Sequence, residues 1–298
     1  MKEIDKNDLP TLKWFPGHMV KARRIIMENL KLVDVVIELL DARIPYSSAN
    51  PLLQEITAGK PLLIVLNKSD LADPAATKQW LEHFRMLGLA AVAIDSMTGK
   101  GTKQLIRLTE ELARKKTEKF VSHGAKPRAA RVMILGIPNV GKSSLINRLA
   151  GAVKAKAADK PGVTRAKQWI KIGSNLDLLD TPGILWPKFE DMTVGLKLAF
   201  TGAISDDAYD MEKVVAVFLD NMRRDYPQRL KERYKLTLPL PETSWEVLEA
   251  IGRKRGCLLK GGIIDMEKAQ HIVMNEFRAG KLGLVSLDMP SADQKGEI

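Results

Sequence analysis

Along the first 180 residues, apolar positions gather in short runs that each close on a polar or glycine tip. They are 33–41 (VDVVIELLD), 61–67 (PLLIVLN), 90–95 (AAVAID), 131–136 (RVMILG) and 176–180 (LDLLD). Runs this short, and apolar on both faces, have the pattern of parallel strands buried between layers. Between them, 77–87 and 103–116 place apolar residues at helical spacing, with Leu105, Leu108 and Leu112 in the second. This alternation predicts a doubly wound, mostly parallel α/β sheet. Ligands of such sheets gather at the carboxyl ends of the strands, which here carry Asp41, Asn67, Asp95, Gly136 and Asp180.

Beyond Pro187 the strand pattern stops. Met211, Val214, Val215, Phe218 and Met222 fall on one helical stripe. Thr243 and Glu246 have the spacing of a capping box, opening a helix that contains Trp245 and Leu248. Asp265 is placed to cap a further helix through Ala269, Val273 and Phe277, with Gly280 as its stop. The chain therefore divides into an α/β domain over 1–187 and an all-α C-terminal domain over 188–298. Within the first domain, the charged stretch 115–127 reads as a helix end and linker.

Charge sharpens this division. Lys and Arg number 47 against 36 Asp and Glu, a net charge of +11. Residues 1–185 hold 30 bases and 18 acids, whereas 186–298 hold 17 and 18. The densest stretches, 100–131 and 142–171, carry 10 bases against 3 acids and 8 against 1. Such blocks attract polyanions by counterion release, with RNA the candidate partner and DNA not expected. A solvated helix face is the plainer reading of any one block. The single cysteine, Cys257, leaves no internal disulfide or cysteine-based zinc cluster and suits a reducing compartment. No apolar run approaches the ~20 residues of a membrane helix, and 1–10 lacks the apolar stretch of a signal peptide. A cytoplasmic protein without membrane insertion is expected.

The candidate chemistry lies at the strand tips. Gly136-Ile-Pro-Asn-Val-Gly141-Lys142-Ser143 follows a predicted strand and precedes a predicted helix, the context a phosphate-binding loop requires. Its amides, from Asn139, Val140 and Gly141 to Ser144, would curl around phosphate oxygens. Lys142 would neutralise the β- and γ-phosphates and Ser143 would ligate Mg²⁺. Asp180-Thr-Pro-Gly183 supplies a second Mg²⁺ carboxylate and an amide for the γ-phosphate. Thr164, between them, is a candidate mobile ligand of both Mg²⁺ and the γ-phosphate. Asn67-Lys68-Ser69-Asp70 ends another strand, where a carboxylate can accept from guanine N1–H and its 2-amino group, which adenine lacks. Asp95-Ser96 ends the next and would close over the base through backbone amides.

The elements resemble those of a GTPase taken in permuted order, base recognition first and phosphate loop second. With DARIP at 41–45, WFPGHM at 14–19, GIPNVGKSS at 136–144 and GKLGLVSLD at 280–288, the chain resembles the YlqF/RbgA family of circularly permuted GTPases over nearly its whole length. The resemblance implies a circularly permuted P-loop GTPase domain, GTP/GDP as ligands, and action in late assembly of the large ribosomal subunit. It also implies binding to ribosomal RNA or a pre-ribosomal particle, with slow hydrolysis stimulated by the ribosome. An alternative is a nucleotide-sensing RNA-binding module in which hydrolysis is incidental. Ile184 stands where ordinary GTPases place a water-orienting glutamine. The resemblance offers His18 for that role; Asn139 is a second candidate, through a K⁺ ion held beside the γ-phosphate. A purely structural His18 and a loop-capping Asn139 stay open beside these readings.

Overall fold

A computed structural model describes residues 17–57, 59–122, 128–151, 169–179, 185 and 191–290. They fall into two compact units. One holds 17–185 together with 286–290; the other holds 191–285. The segment from Ser286 onward thus belongs with the sheet and not with the helices, a correction to the single boundary drawn near 187. Its reason is polar. Ser286 Oγ accepts from the Asp73 amide at 3.1 Å, and the carbonyl of Asp288 accepts from Trp80 Nε1 at 3.1 Å.

The sheet unit is built on strands β1 (Val35–Asp41), β2 (Leu62–Asn67), β3 (Ala90–Ala93), β4 (Ala130–Gly136), β5 (Trp169–Ile172) and β6 (Leu176–Leu179). Their spatial order is β3-β2-β1-β4-β6-β5, parallel throughout except that β5 pairs antiparallel with β6. Every residue of β1 is buried, as a central strand covered on both faces requires. Register sets the tips level: Asp41 lies opposite Asn67, and Leu39 opposite Gly136. The phosphate-loop strand and the base-recognition strand therefore flank β1 and open on the same edge. Sequence order is permuted, while the packed sheet is continuous.

Helix α1 (Gly17–Leu30) buries Ile26 and Leu30 against Val36 and Met133 on one face of this sheet. On the same face, α4 (Pro74–Met86) lays Trp80 and Phe84 on Leu40, Ile64 and Leu66. Asp73 caps α4 and Pro74 opens it, a start worth about 1 kcal/mol over an uncapped one. Two short helices, α2 (Pro45–Ser48) and α3 (Pro51–Thr57), link β1 to β2. Helix α5 (Thr102–Ser122) spans β1 to β4, burying Leu105, Thr109 and Ala113. It runs through most of the stretch read as a linker, and its exposed charges pair along the axis, Arg107 with Glu111 and Arg114 with Glu118. The helical face explains that much of the basic block without a partner. Strand β5 was not anticipated: four residues at the sheet edge, with Lys171 exposed, leave too short a pattern to recognise.

The helical unit comprises α7 (Met192–Phe200), α8 (Met211–Asp225), α9 (Pro227–Tyr234), α10 (Ser244–Arg255) and α11 (Met266–Arg278). Phe218 sits between Phe200 and Phe277, with ring centroids 5.3 and 4.8 Å away. Thr243 and Glu246 form the expected capping box, and Asp265 caps α11. Gly280, just past α11, takes φ +72° as a helix stop requires. Arg278 closes the unit by donating to the carbonyls of Ala199 and Phe200 and to Asp206. Several basic residues of this unit pair locally: Arg224 meets Asp225, Arg253 meets Glu249, and Arg255 meets Glu276.

Candidate functional site: a guanine nucleotide site at the strand tips

The phosphate loop leaves β4 at Gly136 and enters α6 (Lys142–Ala150) through Gly141. Five helices of this chain, α4, α7, α8, α10 and α11, are capped by an Asp or Thr side chain. Helix α6 instead has Gly141 at its N-cap, in the left-handed conformation, with no side-chain cap. Its first-turn amides thus face a position that a phosphate would suit, where dipole and donors favour an anion. Asn139 is also left-handed, φ +56°, a conformation its side chain tolerates better than most. Gly136 lies so close to β1 that an added Cβ would meet the carbonyl of Leu39 at 2.5 Å. Lys142 is buried, and its ammonium donates to the carbonyls of Gly136 (3.1 Å) and Ile137 (2.7 Å), so it lies across the hollow of the loop. Ser143 and Ser144 follow in the first turn.

The base-recognition motif is bonded directly to this loop. Asn67 Nδ2 donates to the Val140 carbonyl at 2.8 Å, while its Oδ1 accepts from the Ser96 amide at 3.2 Å and from Ser96 Oγ at 2.7 Å. One buried amide therefore ties three loops together. Lys68 Nζ donates to the Asn139 carbonyl at 2.8 Å and to Asp41 Oδ2 at 3.1 Å. Burial lowers the Lys68 pKa and the carboxylate of Asp41 opposes that shift. Ser69 is fixed by its amide, which donates to the Ile94 carbonyl at 3.1 Å. Asp70 is exposed, as a residue receiving a ligand from solvent must be. Desolvation and the nearby charge of Asp95 raise its carboxyl above the usual value.

Asp95 lies two residues past the end of β3, and its carboxylate organises its own loop. Oδ1 accepts from the amides of Met97 (2.7 Å) and Thr98 (3.3 Å), and the Thr98 hydroxyl bonds the other oxygen. Burial raises its pKa, but the Thr98 hydroxyl and these amides outweigh that and hold the group ionised. The backbone amides expected to close over the base are instead engaged within the protein, that of Ser96 by Asn67 and those of Met97 and Thr98 by Asp95, so Asp95 shapes this loop from within. Arg148, on α6, joins in by donating from Nε to the Ser96 carbonyl at 3.2 Å. Sequence reasoning missed this arginine because nothing in its spacing marks it.

A second feature escaped the sequence reading. Asp41 and Arg43 of the DARIP turn form a buried pair, Nε to Oδ1 at 2.9 Å and Nη2 to Oδ2 at 2.8 Å, with Lys68 on the same Oδ2. Burial alone would raise the Asp41 pKa; Arg43 and Lys68 override it and hold the carboxyl well below the usual range.

Thr164, Asp180, Gly183 and Ile184 lie outside the described residues. His18 falls in the first turn of α1, where side chains are likewise not described. Ser143 is thus the described candidate for Mg²⁺. A hydroxyl in the first turn of an uncapped helix could ligate Mg²⁺, which would neutralise phosphate charge there. Among the described residues no cluster of His, Cys, Asp and Glu could hold a metal by itself, and no helix is long and apolar enough to cross a membrane.

Comparisons with known proteins agree with this geometry. The family described as 50S ribosome-binding GTPase matches residues 131–238. Ribosome biogenesis GTPase A of Priestia megaterium is 53% identical over 94% of this chain and 98% of its own length. Its Thermotoga maritima counterpart is 32% identical, over 94% and 95%. Mitochondrial ribosome-associated GTPase 1 of Mus musculus is 35% identical, over 93% and 90%. Among solved structures, GDP-bound YlqF from Thermotoga maritima superposes with a TM-score of 0.62 at 28% identity, covering 90% of this chain and 99% of that one. The GNP-bound form gives 0.60 at 29% identity, covering 91% and 99%. This chain belongs to the ribosome biogenesis GTPase A family of circularly permuted GTPases.

Proposed function

We propose that the protein binds GTP with Mg²⁺ at the strand-tip site and hydrolyses it during late assembly of the large ribosomal subunit, in contact with ribosomal RNA of a precursor particle. The observation that carries this reading is the bridge through Asn67. Guanine recognition at 67–70 and phosphate binding at 136–144 share one hydrogen-bonded unit, so one nucleotide spans both. Asp70 accepts from the guanine edge, Lys142 and the α6 amides take the phosphates, and Ser143, with Thr164 and Asp180, holds Mg²⁺. Gly183 donates its amide to the γ-phosphate. Ribosomal action is supported by the names of the relatives in bacteria and mitochondria and by the basic excess of 1–185.

Hydrolysis needs a group to orient water, since Ile184 has no hydrogen-bonding side chain. His18 would supply it, and a K⁺ ion held by Asn139 would add positive charge near the phosphates. On this reading turnover is slow alone and rises on the ribosome. Single-turnover hydrolysis with and without large-subunit precursors tests this, alongside nucleotide-dependent co-sedimentation. GTP-dependent sedimentation with accelerated turnover is the expected result. Sedimentation without acceleration would mean that occupancy alone sets affinity and hydrolysis is incidental.

A further inference from the structure

Residues 286–288 carry no role in the site described so far, yet they are bonded to it. The Leu287 amide donates to the Arg43 carbonyl at 2.7 Å. Asp288 accepts from the Ser47 amide at 2.7 Å and from Ser47 Oγ at 3.1 Å, clamping α2, so that Leu287 and Asp288 together hold the turn after β1 and the short helix behind it. Ser47, Arg43, Asp41 and Asp288 are all at most 3% exposed. From Arg43 the contacts run inward without a gap: Arg43 holds both oxygens of Asp41, Asp41 holds Lys68, and Lys68 holds the carbonyl of Asn139 in the phosphate loop. We propose that Arg43 and the C-terminal strap of Leu287 and Asp288 are positioning residues for the nucleotide, setting the phosphate loop through Asp41 and Lys68.

Backbone geometry gives the reason for such a device. Lys68 and Asn139 are both left-handed, at φ +59° and +56°, and they meet at the Lys68–Asn139 bond. A lysine in that conformation persists only where its surroundings over-determine it. Its ammonium is aimed by Asp41, and the plane of that carboxylate is fixed by the bidentate grip of Arg43, a geometry no lysine can reproduce. The arginine can hold that plane only while its own turn is still, and this turn is what the strap clamps. A buried polar chain of this kind tolerates little play, because each broken bond strands a desolvated group.

The inference rests on the nucleotide site proposed above, and the test separates the two. Release of a fluorescent GDP analogue and equilibrium affinities for GDP, GTP and ATP are measured on the full chain, for Asp288→Ala, Asp288→Asn and the milder Ser47→Ala, with thermal melts to establish folding at the assay temperature. Asp288→Ala, which loses both hydrogen bonds from Ser47, is expected to speed GDP release about tenfold. Guanine over adenine preference stays unchanged, since Asp70 is untouched. Asp288→Asn, which keeps an acceptor for the Ser47 amide, restores most of the parental rate, and Ser47→Ala falls between. Folded Asp288→Ala and Ser47→Ala proteins with parental release rates would overturn the proposal and leave the strap a simple brace. A parent chain that binds no GDP would remove the site reading itself.

Discussion

Asn67 and Val140 stand 73 residues apart in sequence, yet the side-chain amide of the first donates to the carbonyl of the second at 2.8 Å. A residue of the base-recognition motif is thereby part of the wall of the phosphate loop. The adjoining glycine shows how tight the fit is. Any Cβ on Gly141 would overlap Asn67 Nδ2, at a backbone φ of +103°. Gly141→Ala should therefore cost about 1–3 kcal/mol of stability. It should weaken GDP and GTP binding together; thermal denaturation and nucleotide titration of the same sample measure both effects.

In the proposed site, Asp70 is the residue that reads the base. Asp70→Asn exchanges a double acceptor for a mixed donor and acceptor, so GTP should lose at least ~100-fold in affinity while xanthosine triphosphate, with a carbonyl in place of the 2-amino group, gains. Competitive displacement of labelled nucleotide reads this directly. Guanine recognition also requires the ionised carboxylate. Because desolvation and Asp95 raise its pKa, GTP affinity should decline as acidification reaches Asp70, at a higher pH than an ordinary aspartate would give.

Ser143→Ala should separate the metal from the nucleotide. The variant keeps the loop backbone and Lys142, so GDP binding in the presence of a chelator is expected to match the parent. Addition of Mg²⁺ should then improve affinity for GTP far less than it does for the parent, by roughly tenfold or more. Titrating Mg²⁺ against nucleotide affinity in both proteins checks it.

Glu38 is buried in the middle of β1, where its Oε1 accepts only a long bond, 3.3 Å, from the Asn50 amide. Burial pushes its pKa up to about 7 against that bond. The folded state then holds a proton that the unfolded chain releases near its ordinary value of 4.5. Folding stability should fall as pH rises from about 4.5 to 7 and level off above, on the order of 3 kcal/mol in all. Glu38→Gln should flatten this part of the profile and stabilise the protein at pH 8, as read from denaturant midpoints across pH.

Much of the site was legible because its chemistry is local. A glycine-rich loop between strand and helix, an NKSD tetrad on a strand tip and a capping box each occupy a few consecutive residues, and their backbone preferences travel with them. Short apolar runs likewise marked five of the six described strands, since strands covered by packing layers carry few polar positions. The edge strand at 169–172 and the short helices at 45–57 lack that redundancy. Long-range polar pairing was invisible for a different reason. Arg43 beside Asp41 reads as one more charged surface turn, and Asp288 as a carboxylate near a chain end; burial is what turns them into fixed partners.

From its residues alone, then, this protein was determined to carry a parallel sheet, a phosphate loop between strand and helix, an NKSD tetrad at a strand tip and a helical second unit, because propensity, periodicity and loop chemistry act over neighbours in the chain. Which tips stand side by side, that Asp95 serves its own loop, and that a strap from beyond the helical unit reaches Arg43 were decided only by tertiary packing. Water is excluded there, and a hydrogen bond between residues hundreds of positions apart becomes costly to leave unmade.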